Sequence, residues 1–417
     1  MATEKLFGDM LNEYLTYDIL KSGLLQRDYL LNRVDKDSGW KGGNLVVPFK
    51  GAGASSVAFG EMVAADNISS DKYVRGNIAG YKELWGTMSF LHKDLMEHDS
   101  GIKEKSFLKL LPDAIDDFLD LMKMSVSINL LNGAHFATLT GNGTVGGLIT
   151  VDRPDRFMLG QELFLKDGNT ALSAAAYVEA IDMNTCVVHL VTARGGAVDF
   201  DASAYTVAQA AKCYHRGAAT NSFTSLKGAL LSYANGGTES LYGCVKTSAP
   251  YLQAINIDGT GVSAANILSK LFDAYTTIRS RSAGNPNEII CSYKHLGSIL
   301  KLLESSKGSF NVEPGSMKAS VYGWTEVTIG GVKGSLKIVA IQECDDSEIL
   351  FMDWKNTVKF FSNGQMFRKR SAPDGKQFFE IRDATQGFKY LVDISLHGDL
   401  VVSKPSACGV MYGIPAY

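Results

Sequence analysis

Apolar positions at helical spacing mark two segments in the first third of the chain. Residues 4–34 carry them every three or four positions, as an amphipathic helix does. Residues 106–133 carry a longer stripe, which predicts a strut of about 31 Å from Pro112 onward at ~1.5 Å per residue. Pro112 suits a first helical turn and Gly133 suits a C-terminal cap.

Between these helices the pattern changes to two strand-like limbs, residues 45–63 and 73–90, with a polar connector over 64–72. Neither limb alternates cleanly between apolar and polar side chains, so the ribbon has two mixed faces and no core of its own to lie on. An isolated two-stranded ribbon is marginally stable in water, and a limb of about twenty residues reaches ~65 Å. We therefore expect this arm to leave its own domain and pack elsewhere.

The rest of the chain divides by pattern into three parts. Residues 135–216 hold short apolar runs separated by turns, which predicts a small antiparallel sheet or barrel. Residues 217–350 alternate between helical and strand patterns, with helices predicted at 222–234, 262–282 and 292–305, and strands at 287–291 and 336–342. Residues 351–412 return to strand and turn, and Asn363-Gly364 is typical of a hairpin turn.

Composition narrows the function classes. The chain has 417 residues and a formal net charge of −3, so no global basic field would draw it onto nucleic acid. It has no apolar run of the roughly 18 residues that a membrane span needs, and its first residues lack the apolar core of a signal peptide. Six cysteines occur singly and without a CxxC pair, which indicates buried thiols in a reducing compartment.

Several local patterns suggest chemistry, and each has a simpler interpretation. Residues 141–146, GNGTVG, match GxGxxG, but a strand-like run and a proline follow where a dinucleotide site needs a helix, so a glycine turn is favoured. Residues 46–62 do not have the order of a phosphate-binding loop. The four candidate ligands of a zinc site are Cys186, His189, Cys213 and His215. Such a site is disfavoured because the alternation of side chains along a strand would point residues 186 and 189 in opposite directions. We predict neither an enzyme nor a cofactor.

The basic run Phe367-Arg368-Lys369-Arg370 ends the predicted hairpin limb. A phosphate contact is one interpretation. A charged edge strand that discourages stray pairing, or an ion pair between subunits, is favoured over it.

The order of the predicted elements and the amino-acid sequences of several segments resemble the major capsid protein of tailed double-stranded-DNA bacteriophages, whose fold is shared with encapsulins. The order is a helical arm, a glycine-bearing ribbon, a long helix, a mixed α/β region and a closing sheet. The segments are VVPFKGAGASSV (46–57), DKYVRGNIAGYKELWGTMSF (71–90), LPDAIDDFLDLMKMSVSINLLNG (111–133) and NEIICSYKHLGSIL (287–300).

The resemblance implies an α+β fold with defined parts. They are an N-terminal arm (1–40), an extended hairpin loop overlapping a neighbouring subunit (41–95), a peripheral domain with a spine helix and a sheet (96–134 and 351–417), an inserted β subdomain (135–216) and an axial domain (217–350). It also implies contacts between subunits along the extended loop, for which we select Phe49, Lys50, Val57, Phe59, Glu61, Lys72, Arg75, Tyr81 and Trp85.

The function implied is self-assembly, through hexamers and pentamers, into an icosahedral shell that encloses packaged phage DNA. Scaffold, portal and decoration proteins are the expected partners, DNA contact would be non-specific, and no membrane is expected. The shell would assemble in the bacterial cytoplasm and end in the virion. An encapsulin-like compartment with protein cargo is the first alternative, and a soluble α/β enzyme with an unrecognised site is the second. A tail-tube or decoration subunit is disfavoured by the long ribbon and strut helix.

Overall fold

The structure is a computed structural model, and it describes most of the chain. The described residues are 28–50, 73–91, 104–168, 172–248, 250–281, 284–305, 318–320, 323–331, 334–355, 357–370, 379–383 and 387–415. The predicted first helix therefore lies largely outside the described residues, and so does the connector at 64–72.

Helices and strands both contribute substantially, as an α+β fold requires. Up to the long helix, the elements are α1 (Tyr29–Arg33), β1 (Asp35–Asp37), β2 (Asn44–Lys50), β3 (Tyr73–Ala79), β4 (Lys82–Leu91) and α2 (Glu104–Leu131). The next part contains β5 (His135–Gly141), β6 (Leu148–Val151), β7 (Glu162–Lys166), β8 (Ala176–Asp182), β9 (Val187–Val191) and β10 (Lys212–Tyr214). The α+β prediction is confirmed.

The second half of the chain alternates between helices and strands. It contains α3 (Ala218–Asn221), α4 (Leu226–Leu230), β11 (Ser240–Leu241), β12 (Cys244–Val245), β13 (Ile255–Asp258), α5 (Ile267–Arg281), β14 (Glu288–Cys291), α6 (Tyr293–Ser305), β15 (Lys318–Ser320), β16 (Gly323–Gly331) and β17 (Gly334–Ala340). It ends with β18 (Glu348–Met352), β19 (Val358–Phe361), β20 (Phe367–Lys369), β21 (Phe379–Asp383), β22 (Gly387–Val402) and β23 (Gly409–Tyr412).

The described chain forms two compact units. The first unit takes Lys82–Phe223 and Phe367–Leu396, and the second takes Tyr29–Tyr81, Thr224–Met366 and His397–Tyr417. The chain passes from the second unit to the first just after Gly80, whose φ of +77° favours glycine.

Helix α2 is the long element of the first unit, and at ~1.5 Å per residue its 28 residues span about 42 Å. It ends as predicted at Gly133, which has a φ of +103° and donates its N–H to the carbonyl of Ile128. The helix lies very close to β4 at Gly86, where a Cβ would come within 2.6 Å of the Phe118 ring. The predicted strut over 106–133 is confirmed, but the expectation that Pro112 lies in its first turn is wrong, since the helix begins at Glu104.

A closed barrel follows α2 in the first unit. Its strands run in the order β10-β5-β6-β9-β8-β7, and every described neighbouring pair is antiparallel. Inward-facing apolar side chains fill it, and Ile128 of α2 belongs to the same buried cluster. The prediction of a small antiparallel sheet or barrel over 135–216 is confirmed. A closed barrel leaves no unpaired strand edge, which accounts for a stable core in so short a segment.

The second unit contains a seven-stranded mixed sheet in the order β13-β23-β18-β14-β17-β16-β15. The pairs β13–β23 and β14–β17 are parallel and the others are antiparallel. Helices α5 and α6 share a buried apolar cluster with this sheet. The described strand nearest the C-terminus, β23, therefore joins the sheet built from residues 255–352. The resemblance had implied that residues 351–417 belong to the peripheral domain.

The hairpin predicted at Asn363-Gly364 is wrong. Strand β19 pairs with residues 399–402 of β22, and β20 pairs with residues 394–396 of the same strand. Gly364 does adopt the left-handed conformation of a turn, with a φ of +72°. The turn therefore connects two strands that use β22 as their common partner.

Candidate assembly interface

The predicted contact residues fall into three groups. Val57, Phe59, Glu61 and Lys72 lie outside the described residues. Phe49, Lys50 and Arg75 lie on the two-stranded ribbon of β2 and β3, where Lys50 is opposite Tyr73 in the pairing register. Tyr81 follows that ribbon, and Trp85 lies on β4 in the first unit.

The base of the ribbon, which is β2 paired with β3, has two distinct faces. Val47, Phe49 and Ile78 on the inner face are 5%, 1% and 6% exposed. On the outer face Val46 is 58% exposed and Arg75 is exposed. The expectation of two mixed faces with no core to lie on is therefore wrong for this base, because alternation along both strands buries one face against the same chain.

Phe49 is covered by its own chain. Its ring stacks on the ring of Tyr242 with centroids 5.8 Å apart and planes at 7°. Gly76 makes this approach possible, since a Cβ there would lie 2.5 Å from Phe49 Cε2. Phe49 therefore holds the inner face of the ribbon base against its own chain, while the outer face is exposed.

The second limb of the predicted loop is two strands rather than one. Gly80 donates its N–H to the carbonyl of Gly43 at 2.7 Å and closes the base of the ribbon. Beyond it, Tyr81 packs edge-on against Trp40 with centroids 6.1 Å apart, and its ring lies 5.9 Å from that of His397. Strand β4 then pairs with β22 instead of with β2. The sequence missed this division because strand-forming residues continue on both sides of Gly80-Tyr81 without a clear turn signal.

Trp85 lies on the outer side of β4 and is 48% exposed. Its Nε1 donates a hydrogen bond to Glu83 at 2.9 Å, and the hydroxyl of Thr87 donates to Asp393 at 2.7 Å. Gly86, between them, faces helix α2. Tryptophan is among the residue types enriched at interface hot spots, and the contact of Trp85 with a neighbouring subunit stays a prediction.

The basic run at 367–370 makes contacts within the first unit. Arg370 lies 3.9 Å from the carboxylate of Asp393, and its guanidinium lies 4.9 Å from the Phe379 ring centroid. Burial lowers the pKa of Lys369 to about 8. The pair with Asp393 shows that Arg370 has an intrachain partner.

The four residues considered for zinc have separate surroundings. Cys213 is inside the barrel, where burial raises the pKa of its thiol far above the usual range. His215 stacks on Phe136 with centroids 4.5 Å apart, and His189 lies between the carboxylates of Glu179 and Asp199 at 2.8 and 2.9 Å. In the described part of the chain, no group of three or more His, Cys, Asp or Glu side chains could hold a metal ion.

The GNGTVG segment is a turn, as the favoured interpretation predicts, but it joins two barrel strands rather than a helix and a strand. Strand β6 follows where a dinucleotide site needs a helix. A Cβ on Gly143 would lie 2.2 Å from the carbonyl oxygen of Ala202. The glycine therefore lets two backbone segments of the barrel approach each other.

Sequence reasoning missed Tyr242, which contacts both strands of the ribbon base through Phe49 and Asn77. Burial raises the pKa of Tyr242 well above its usual value, and nearby Asp399 acts in the same direction. Its only sequence signal is the Tyr242-Gly243 pair between two short apolar runs.

Among the helices of the described residues, none combines the length and the apolar character needed to cross a bilayer.

The sequence matches no protein-family model and no curated protein. Solved structures with a similar arrangement include the capsid asymmetric unit of cyanophage A-1(L), at 12% identity and a TM-score of 0.47, covering 92% of this chain and 90% of that one. The capsid of a native GTA particle is similar at 10% identity and a TM-score of 0.45, with the same coverage. An encapsulin complex from Synechococcus elongatus is similar at 8% identity and a TM-score of 0.37, covering 93% and 89%.

Proposed function

We propose that this chain is a major capsid protein whose copies assemble, through hexamers and pentamers, into the icosahedral shell of a tailed bacteriophage. The observation that carries the proposal is the ribbon base of β2 and β3. One of its faces is buried on the second unit, and its other face presents Val46 to solvent. The sequence resemblance assigns contact with a neighbouring subunit to this segment.

The ribbon is suited to joining copies because its attachment and its exposed face are separate. Intrachain packing of Phe49 holds the base, so contacts on the outer face do not compete with folding. Apolar area buried there would contribute ~25 cal/mol per Å² before the cost of association. Individually weak contacts become stable when each subunit makes many of them in a closed shell.

The same proposal implies several partners. The shell would use a scaffold protein and a portal, with decoration proteins on its surface, and it would hold packaged DNA by non-specific contact. The net charge of −3 suits such a wall, because a strongly basic lining would bind the DNA phosphates tightly. The role is structural, without catalysis or a cofactor, and the location is the virion after assembly in the host cytoplasm.

The decisive experiment removes the segment between the two ribbon strands. Lys50 and Tyr73 are opposite each other in the register, so a two-residue Asn-Gly turn can replace residues 51–72 and close the hairpin. We expect the native chain to form large assemblies by size-exclusion chromatography and negative-stain microscopy. The shortened chain should keep its circular dichroism spectrum and remain small.

A matched control shortens a hairpin elsewhere. Asp182 and Val187 are also opposite each other, and Asn-Gly in place of residues 183–186 shortens the barrel connection without touching the ribbon. This variant should assemble as the native chain does. Native-size shells from the 51–72 variant would refute the proposal. Shells that contain protein cargo instead of DNA when isolated from the native host would favour an encapsulin-like compartment.

A further inference from the structure

The ribbon base meets the rest of the second unit at the tip of a short hairpin, β11–β12. Tyr242 occupies this tip with a φ of +51°, a conformation that is uncommon for a tyrosine. Its backbone carbonyl accepts a hydrogen bond from the N–H of Asn77 on β3 at 2.8 Å. Next along the hairpin, the Cys244 thiol points to the carbonyl of Arg75 at 3.4 Å. The hairpin therefore holds β3 through its backbone.

The side chain of Tyr242 contacts two further strands. Its ring stacks on Phe49 of β2, as described above. Its hydroxyl donates to the carbonyl of Leu400 at 3.0 Å and accepts from the N–H of Val402 at 2.9 Å, both on β22. A single half-buried residue thus bonds to β3, stacks on β2 and is fixed by two hydrogen bonds to β22.

We infer that Tyr242 is a positioning residue that fixes the direction in which the ribbon leaves the second unit. The inference rests on the proposed function, in which that direction decides where the ribbon meets the next copy. The phenol is a suitable group because its ring supplies stacking area, and its hydroxyl satisfies two backbone groups of β22 at a defined distance. Phenylalanine would keep the first property and lose the second.

Gly76 is the second part of this clamp. A Cβ at Gly76 would lie 2.5 Å from Phe49 Cε2 and 3.1 Å from Tyr242 Cβ. Even alanine at this position would displace the Phe49 ring and disturb its stack on Tyr242. Gly76→Ala therefore loosens the same contact without changing Tyr242, which provides an independent test.

The first measurement is hydrogen exchange on the unassembled chain, so its outcome does not depend on shell formation. Tyr242→Phe removes both hydrogen bonds to β22 and should raise exchange of the amides in 73–79 by about tenfold or more, since the loss of each net hydrogen bond corresponds to a factor of roughly five to ten. Tyr242→Ala and Gly76→Ala should raise it further. Tyr233→Phe is the matched control, because Tyr233 is 69% exposed, and its exchange should equal that of the native chain.

The second measurement is the size distribution of assembled shells by electron microscopy. Native chains should give one size, Tyr242→Phe a broader distribution, and Gly76→Ala a still broader one or open sheets. Exchange within twofold of native in both Tyr242→Phe and Gly76→Ala, or faster exchange with unchanged shell size, would overturn the inference. Failure of the native chain to assemble would instead contradict the proposed function, and the exchange result would still decide whether the clamp exists.

Discussion

The barrel and the ribbon base are both built from short antiparallel strands, but they pair their backbone hydrogen-bonding groups and bury their side chains in different ways. The six barrel strands close on themselves, and their side chains form a core of their own. The ribbon has two strands, and its inner face is buried against other parts of its own chain, including the stack of Phe49 on Tyr242. A closed sheet is stable by itself, whereas an open ribbon depends on what covers it. We therefore expect core substitutions to lower stability most in the barrel. We expect surface substitutions to reduce assembly most on the ribbon.

The largest expected effect on stability is in the barrel core. Leu165→Ala removes a fully buried side chain and should lower the free energy of unfolding by about 2–5 kcal/mol, because it leaves a cavity. Calorimetry of the purified chain measures this as a lower transition temperature. Leu159→Ala is the control, since Leu159 is 69% exposed, and it should change little. Equal effects of the two substitutions would contradict the description of the barrel as a packed core.

The next effect is a dependence of barrel stability on pH. Burial lowers the pKa of His215 to about 4 from an ordinary value of 6.5. Below pH 6.5 the unfolded chain takes up a proton that the folded chain does not, so stability falls as the pH drops from 6.5 towards 4. The loss should reach about 2–3 kcal/mol. His215→Phe keeps an aromatic ring on Phe136 and should flatten this part of the stability curve, as measured by urea unfolding at pH 7 and pH 4.5.

A smaller effect tests whether β4 belongs with the sheet rather than with the ribbon. Thr87→Val removes the hydrogen bond from the Thr87 hydroxyl to Asp393 and should cost about 1 kcal/mol. The amides of β4 should then exchange faster, while those of β2 and β3 stay unchanged. Faster hydrogen exchange in β2 and β3 as well would show that residues 73–90 behave as the single limb predicted from the sequence, without a division at Gly80.

The substitution with the smallest expected effect on stability, Val46→Asp, should have the largest effect on assembly. Val46→Asp changes a side chain that is 58% exposed, so the free energy of unfolding should stay within about 0.5 kcal/mol of native. Assembly monitored by light scattering should fall sharply, because the charge would be buried between copies. Met183→Asp, at a barrel position that is 55% exposed, is the matched control and should assemble normally. A normal assembly rate for Val46→Asp would remove the outer face of the ribbon base from the interface.

The parts of the fold that depend on local periodicity could be predicted. The strut helix and its Gly133 cap follow from apolar spacing and terminal residues, and the barrel follows from short strands at regular intervals. The hairpin at Asn363-Gly364 could not be excluded, because turn chemistry specifies a reversal of the chain but not the partner of each strand. Tyr242 carried only the weak signal of a Tyr-Gly pair, since its role depends on contacts with residues 158 or more positions away along the chain.

The sequence by itself determined the long helix and the short strands of the barrel, because side-chain periodicity and terminal residues act within a few positions. It also determined that the chain carries a glycine-bearing ribbon before a long helix. Only the tertiary structure decided that the second limb divides at Gly80, that β19 and β20 share β22, and that Tyr242 holds the ribbon base. Pairing and burial between distant residues depend on which surfaces meet, and no local pattern encodes this.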